Sequence, residues 1–360
     1  MTGFLQPIYV AGFLISFSTV LLLVPLVRRF ASRRGILDRP DETRKIQAEP
    51  VPLLGGWAVF GGFAFSAAIL TVWYGGGWGE FIHVRYLAGV VCGGLLLMIG
   101  GYLDDRYRLP PSRSIIAPVL AAASVIISGV QLSYINHPLG GAILLDSIKI
   151  WGYPVWGGIF VFLWVLGMIY TTKFLDGMDG LCAGTVGIGA VVLFFLSQLA
   201  VVDQPDTALL CIVFAGALLG ILPWNFYPAK IFLGESGSTF AGFMLGVLAV
   251  ISGGKIATAL LIMGIPILDV AWVIMRRIIH EFSPFQGDRK HLHFRLLDLG
   301  LSQRQTVLFL YLLSAGFGVS GLFLQAAGKL AALFILFLVM VALASTLVIA
   351  YQGKERTSKP

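Results

Sequence analysis

Charge is scarce in this chain: Asp, Glu, Lys and Arg together make up 12% of its 360 residues, against 58% hydrophobic. Soluble domains carry about a quarter charged residues, so the shortage excludes both an ordinary water-soluble domain and a disordered, highly charged one. Cysteine is nearly absent. Cys92, Cys182 and Cys211 show no metal-ligand spacing, which excludes a zinc module and a disulfide framework. Cys92 and Cys211 fall inside apolar runs and are expected to pack there; Cys182, beside a polar loop, is read as a neutral bystander. No Lys or Arg precedes the first apolar run, so that run is expected to be a lasting span rather than a removable signal peptide. Basic residues are not interleaved with aromatics in the pattern that binds nucleic acid, and no nucleic-acid partner is expected.

Long apolar runs are abundant instead, and the mean hydropathy is +0.89. Eleven runs of bilayer-crossing length centre on Ile8–Leu26, Leu53–Tyr74, Val84–Leu103, Ile115–Ile135, Val155–Thr172, Ala183–Val202, Thr207–Trp224, Thr239–Ile251, Ile256–Ile278, Thr306–Gln325 and Leu330–Tyr351. Backbone polar groups in hydrocarbon must be satisfied within a helix or a closed barrel, and these runs are too long and too uniformly apolar for barrel strands. The expected fold is an all-α integral membrane protein, a polytopic bundle of ten or eleven transmembrane helices. Residues 1–351 form one membrane domain, and 352–360 a short basic tail.

If the loops alternate sides, one set of loops holds 21 of the 25 Lys and Arg residues, while the other keeps Arg85, Lys149, Lys255 and Lys329. The positive-inside rule reads the first set as cytoplasmic. The amino terminus is therefore expected outside and the carboxy terminus inside, and the formal charge of +7 is that of loops beside an anionic leaflet.

The polar clusters fall on the basic side: "RPDETRKIQAEPVPLLGG", "LDDRYRLPPSR", "FLDGMDGL", "NFYPAKIFLGESGS" and "DRKHLHFRLLDLG". Carboxylates on several loops suit a divalent cation such as magnesium, which takes oxygen ligands and shares them with substrate phosphates. The glycines of "GESGS" would let successive amides turn toward an anion, with a helix starting behind them at Thr239. The combination points to phosphate chemistry on a soluble anionic substrate, the lipid phase supplying the second reactant. Asp269 is the main charge within a span; it marks function or pairs with Arg276 or Arg277.

These motifs, from "RGILDRPDETRK" to "LGLSQRQTV", resemble the polyprenyl-phosphate N-acetylhexosamine-1-phosphate transferase family, also grouped as glycosyltransferase family 4. "DRKHLHFRL" is closer to its O-antigen and teichoic acid branch than to the peptidoglycan branch. The resemblance implies a cytoplasmic cleft in which a sugar 1-phosphate passes from a UDP-N-acetylhexosamine to undecaprenyl phosphate, releasing UMP, in the bacterial inner membrane, with Mg2+ as cofactor. By the same resemblance, Asp104 and Asp105 are the catalytic pair that deprotonates or positions the acceptor phosphate. Lys45, Lys173, Asp176, Asp179, Asn225, His291 and His293 face substrate, and Glu235 with Asp105 holds the metal. A homodimer is a further partner to consider, since runs such as "GVVCGG" allow close packing.

The chain also departs from the family pattern. Lys173 stands in place of an asparagine implicated in metal binding, Tyr170 in place of an earlier asparagine, and Glu235 in place of an aspartate. Phe294 takes the place of the last histidine, Ser114 and Pro118 of a lysine and a glutamine, and Gln47 of a histidine. An ammonium repels magnesium. At 173 it either supplies positive charge directly to the diphosphate or marks a relative with another substrate or lost activity, a non-enzymatic subunit of a glycan assembly system. A transporter is the other alternative; it would keep its acids near the midplane of repeated halves, and neither feature is evident.

Overall fold

The computed structural model describes residues 6–40, 49–73, 84–137, 140–150, 152–253, 255–279 and 291–357. Lys45, assigned above to substrate, lies outside them, as does Gln47. Thirteen helices are found among the described residues: α1 (Pro7–Arg33), α2 (Gly55–Trp73), α3 (Val84–Tyr107), α4 (Pro111–Ser114), α5 (Ile116–Ile127), α6 (Val155–Leu175), α7 (Leu181–Ser197), α8 (Pro205–Asn225), α9 (Gly234–Ile251), α10 (Ile256–Ile279), α11 (Leu292–Asp298), α12 (Gln303–Phe323) and α13 (Ala326–Thr357). Nine of these are long and apolar enough to cross a membrane, and two shorter apolar stretches, Pro111–Ile127 and Leu181–Ser197, fill the remaining places of the eleven runs. The protein is an all-α polytopic membrane protein.

The differences from the sequence reading are local. α5 ends at Ile127, where the next apolar residues turn through Gly129 (φ +99°) into strand β3. α9 begins at Gly234 rather than Thr239, so "GESGS" is its first turn and not a free loop. α13 runs 32 residues, carrying the helix through most of the segment assigned to the tail. Three antiparallel two-stranded hairpins were not foreseen: β1 (Leu37–Asp38) with β2 (Val51–Pro52), β3 (Tyr134–Asn136) with β4 (Ala142–Leu144), and β5 (Lys149–Ile150) with β6 (Tyr153–Pro154). Each lies between helices, where backbone groups can bond outside hydrocarbon.

Burial organises the bundle. α9 is enclosed, packing against α2, α3, α5, α6, α7, α8 and α10, and nearly all its side chains are buried. The outer helices present apolar side chains outward, with Leu22 72%, Leu312 70% and Phe323 81% exposed, as lipid contact requires. Small residues bring backbones together where the apolar effect between helices is weak. A Cβ added at Gly237 of α9 would stand 2.7 Å from the Cα of Gly56 on α2. Three backbone hydrogen bonds then zip the start of α2 to the segment before α9: Phe232 N–H to the Pro52 carbonyl, Gly55 N–H to the Phe232 carbonyl and Gly56 N–H to the Leu233 carbonyl, each 2.9 Å. The start of α9 is thereby fixed against α2.

Alternation of direction gathers the ends of α1, α3, α6, α8 and α10 with the starts of α2, α7, α9 and α12 at one face, as their cross-contacts show. The opposite face holds the sparse basic residues: Arg85 donates to the Ile127 carbonyl at 3.0 Å, and Lys329 to Thr258 at 2.9 Å. Because no adjustment of a flexible side chain relieves a backbone clash, Gly237→Val is expected to lower stability by about 1–3 kcal/mol; an unchanged thermal unfolding midpoint in detergent would show that α2 and α9 do not meet as described.

Candidate functional site

The site is built on helix ends. The last turn of α3 carries Asp104 and Asp105, and the Asp104 carboxylate folds the chain back after it: Oδ1 accepts from the Leu109 N–H at 2.9 Å and Oδ2 from the Ser114 hydroxyl at 2.6 Å. Asp105 reaches across to α9, where the Glu235 N–H donates to its two oxygens at 3.1 and 3.2 Å. That carboxylate thus satisfies one of the orphan amides at a helix start and sits at the positive end of the peptide dipoles. Gly234 must be glycine here, having φ +72° and a Cβ position only 2.6 Å from Asp105 Oδ2.

Lys173, on the last turn of α6, enters the same space. Its ammonium pairs with the Glu235 carboxylate, lies 3.9 Å from Asp104 Oδ2, donates to Ser114 Oγ at 3.1 Å and stands 5.8 Å from the centre of the Tyr170 ring. Ser114 and Tyr170 entered the sequence reading only as departures from the family pattern. The structure places both in contact with Lys173.

"FLDGMDGL" links α6 to α7. Asp179 Oδ2 accepts the Ala229 N–H at 2.9 Å, and the Gln303 side chain at the start of α12 also bonds to it. Gly180, at φ +80°, is the N-cap of α7, and its carbonyl takes the hydroxyl of Tyr311 from α12. A tyrosine inside an apolar helix needs such a partner, yet nothing in the sequence says which carbonyl. Asp176 closes α6. Burial, then the negative charges of Glu235, Asp179 and Asp38, raise its carboxyl to about 8. Burial likewise raises Asp179, against the lowering effect of its hydrogen bonds.

Asn225 ends α8 and is buried; its Nδ2 donates to the Ile231 carbonyl at 3.0 Å, closing the loop that leads to α9. Its Oδ1 has no partner among the described residues. The histidines form a separate layer. Asp269, from α10, accepts from Leu292 N–H at 2.8 Å and lies 2.8 Å from His291 Nδ1; it holds the start of α11. His291 stacks between Phe174 and His293, centroids 6.0 and 5.7 Å away, and Phe294 packs on His293 at 4.3 Å. His293 is buried, its Nε2 without a partner among the described residues, and that nitrogen is 2.5 Å from where a Cβ on Gly177 would be. The first glycine of the aspartate loop therefore lets the histidine pack against it. Burial lowers His293 to about 4, the charge of Asp269 opposing and that of His291 assisting.

The structure thus brings Asp104, Asp105, Lys173, Asp176, Asp179 and Glu235 together at one face, with His291 and His293 behind the aspartate loop and Asn225 beneath it. The residues fit magnesium poorly at the position expected for it. Among the described residues no three His, Cys, Asp or Glu groups cluster around a common point, Asp105 is engaged with a backbone amide, and Glu235 with an ammonium.

A helical bundle that gathers acids, an ammonium and buried histidines at the ends of its spans has the form of an integral membrane enzyme for phosphorylated substrates. A family model described as glycosyl transferase family 4 matches residues 87–253. The chain is 30% identical over 342 residues to a Bacillus subtilis (strain 168) protein named probable undecaprenyl-phosphate N-acetylglucosaminyl 1-phosphate transferase, covering 92% of this chain and 89% of that one. It is 33% identical to a Mycolicibacterium smegmatis decaprenyl-phosphate N-acetylglucosaminephosphotransferase, over 79% of this chain and 74% of the relative. To an Escherichia coli (strain K12) undecaprenyl-phosphate alpha-N-acetylglucosaminyl 1-phosphate transferase it is 27% identical, over 83% and 78%. The chain belongs to glycosyl transferase family 4, the polyprenyl-phosphate hexosamine-phosphate transferases, as its motifs imply.

Two outcomes follow from the histidine layer. Asp269→Ala strands the Leu292 N–H and the His291 ring, and is expected to cost about 1–3 kcal/mol, with Asp269→Asn recovering part, read by thermal unfolding in detergent. His293 binds its proton more weakly folded than unfolded, so stability is expected to fall as pH drops from about 6.5 to about 4. His293→Asn should flatten that decline; a decline unchanged in the variant would assign it to other groups.

Proposed function

We infer that this chain transfers N-acetylglucosamine 1-phosphate from UDP-N-acetylglucosamine to a polyprenyl phosphate, releasing UMP, at the cytoplasmic face of the bacterial inner membrane. The observation that carries this reading is the meeting of Asp104, Asp105, Lys173, Asp176 and Glu235 on the ends of three spans at the basic face of the bundle. The names of the relatives supply the sugar and the lipid. The 21-to-4 distribution of basic residues supports an external amino terminus and a cytoplasmic carboxy terminus.

An oxygen of the acceptor phosphate attacks the β-phosphorus of the donor. A new phosphorus–oxygen bond forms there as the bond from the β-phosphorus to the bridging oxygen breaks, and that oxygen leaves with the α-phosphate as UMP. Such transfers rest on positioning and electrostatic stabilisation. Asp104 takes up the acceptor's proton, if it arrives with one, or orients its attacking oxygen; its hydrogen bonds to Leu109 and Ser114 keep it from swinging. Asp105 holds the start of α9, and Asp176 and Asp179 shape the loop beside the nucleotide. Gly177 and Gly180, which follow them, let His293 and Phe226 pack against the loop from the protein side.

UMP release by the purified protein should require both the UDP-sugar and undecaprenyl phosphate. Asp104→Asn is expected to reduce it by about 100-fold or more, the scale of a general acid–base contribution, in a protein that still elutes as a folded species. Full turnover in Asp104→Asn and in Asp105→Asn would remove the base from this scheme, and release with no lipid present would identify a hydrolase instead.

A further inference from the structure

The departures from the family pattern run from Gln47 to Phe294 in the sequence, yet in space four of them, Ser114, Tyr170, Lys173 and Glu235, form one contact set. Lys173 carries the ammonium, Glu235 pairs with it, Ser114 accepts its hydrogen bond, and the Tyr170 ring lies beneath it at 5.8 Å. Asp104, the base of the scheme above, is the fourth group facing Lys173, at 3.9 Å, and it shares Ser114, whose hydroxyl donates to it at 2.6 Å. The ammonium is rooted in α6, its partners in α3, α4 and α9. It is not a surface pair: the side chains of Lys173, Asp104 and Glu235 are only 25, 16 and 20% exposed.

We propose that Lys173 is a resident cation. Its ammonium neutralises Asp104 and Glu235 in the absence of substrate and turns to the donor diphosphate when that arrives, doing at this position what a divalent ion would do, so that transfer needs no metal at Glu235. A compact point charge with rotatable donors suits both partners. A divalent ion at Glu235 would have to displace it and leave an ammonium stranded against a dication, a desolvated like-charge contact of high cost. Glutamate is also suited to the pairing, since its extra methylene carries the carboxylate out from the first turn of α9 to the end of α6. Serine at 114 has the same sense: it offers an acceptor to the ammonium where the family pattern has a second basic group, which would repel it.

The inference rests on the transferase reading, and two measurements keep them apart. The first uses Mn2+ alone with the full-length protein in detergent, free Mn2+ being followed by its paramagnetic resonance signal. Wild type is expected to bind weakly; Lys173→Asn, which frees Glu235 and Asp104, should bind about ten-fold tighter or better, and adding Glu235→Gln to it should abolish the gain. Wild type binding Mn2+ as tightly as Lys173→Asn would overturn the proposal, whatever the protein catalyses. The second is UMP release with excess chelator. Wild type should keep most of its magnesium-supplemented rate, while Lys173→Asn should lose about 100-fold, the scale of one preorganised charge. Returning an ammonium from the neighbouring position, in Ser114→Lys with Lys173→Asn, should recover about ten-fold of that loss, which a purely structural role for Lys173 would not give. Collapse of the wild-type rate under chelator, restored by Mg2+, would overturn the resident cation and leave the transferase standing. No release from any variant, with or without metal, would overturn the transferase reading and leave the Mn2+ titration to decide on Lys173.

Discussion

Everything at the reactive face hangs on the contact between the end of α3 and the start of α9. The Glu235 amide donates to the Asp105 carboxyl, and two helices running in opposite directions are joined by that side chain where their ends have unsatisfied backbone. Helix termini leave amides and carbonyls without intrahelical partners, and in a membrane those groups have to be answered by protein or by interfacial water. The acids here answer them. Asp104 does so for the turn after α3, Asp179 for the loop before α9 and Asp269 for the start of α11. The same carboxylates that give the face its chemistry also close its ends, so their geometry is set before any substrate arrives.

That dual use explains why so few charges suffice. A carboxylate in a low-dielectric surround is tolerated only when hydrogen-bonded or paired, and each bond that makes it tolerable also fixes its direction. Preorganisation of this kind is the main source of electrostatic stabilisation in enzymes. The histidine layer adds a second rigid element. His291 lies between Phe174 and His293 in a stack of near-parallel rings, so that α11 presses on the aspartate loop from behind through ring faces.

The spans were legible in the sequence because the bilayer fixes their length and composition; ten or eleven helices follow from hydropathy alone. α5 and the hairpins after it were not, since the apolar run continues through Ile135 and only a left-handed glycine at 129 ends the helix. α9 was placed too late because glycine and serine in its first turn read as loop, whereas enclosure by seven other helices overrides their low propensity. The acidic clusters were legible as clusters, and their common face followed from counting spans. Their partners were not. Ser114 and Lys173 are 59 residues apart, and Gly180 and Tyr311 are 131 apart; no periodicity links such pairs. Asp269 stood out as a charge in an apolar run, but its partners, a backbone amide and a ring on the next element, carry no sequence signal at all.

The length of α13 has a mechanical consequence. Thirty-two residues of helix extend about 48 Å, whereas the hydrocarbon of a bilayer is about 30 Å thick. Upright, the helix overshoots the hydrocarbon by roughly three turns; lying wholly within it would demand a steep tilt, beyond the usual range. The last helix is therefore a strut that outruns its membrane, and a thicker bilayer would engage more of its length than a thinner one.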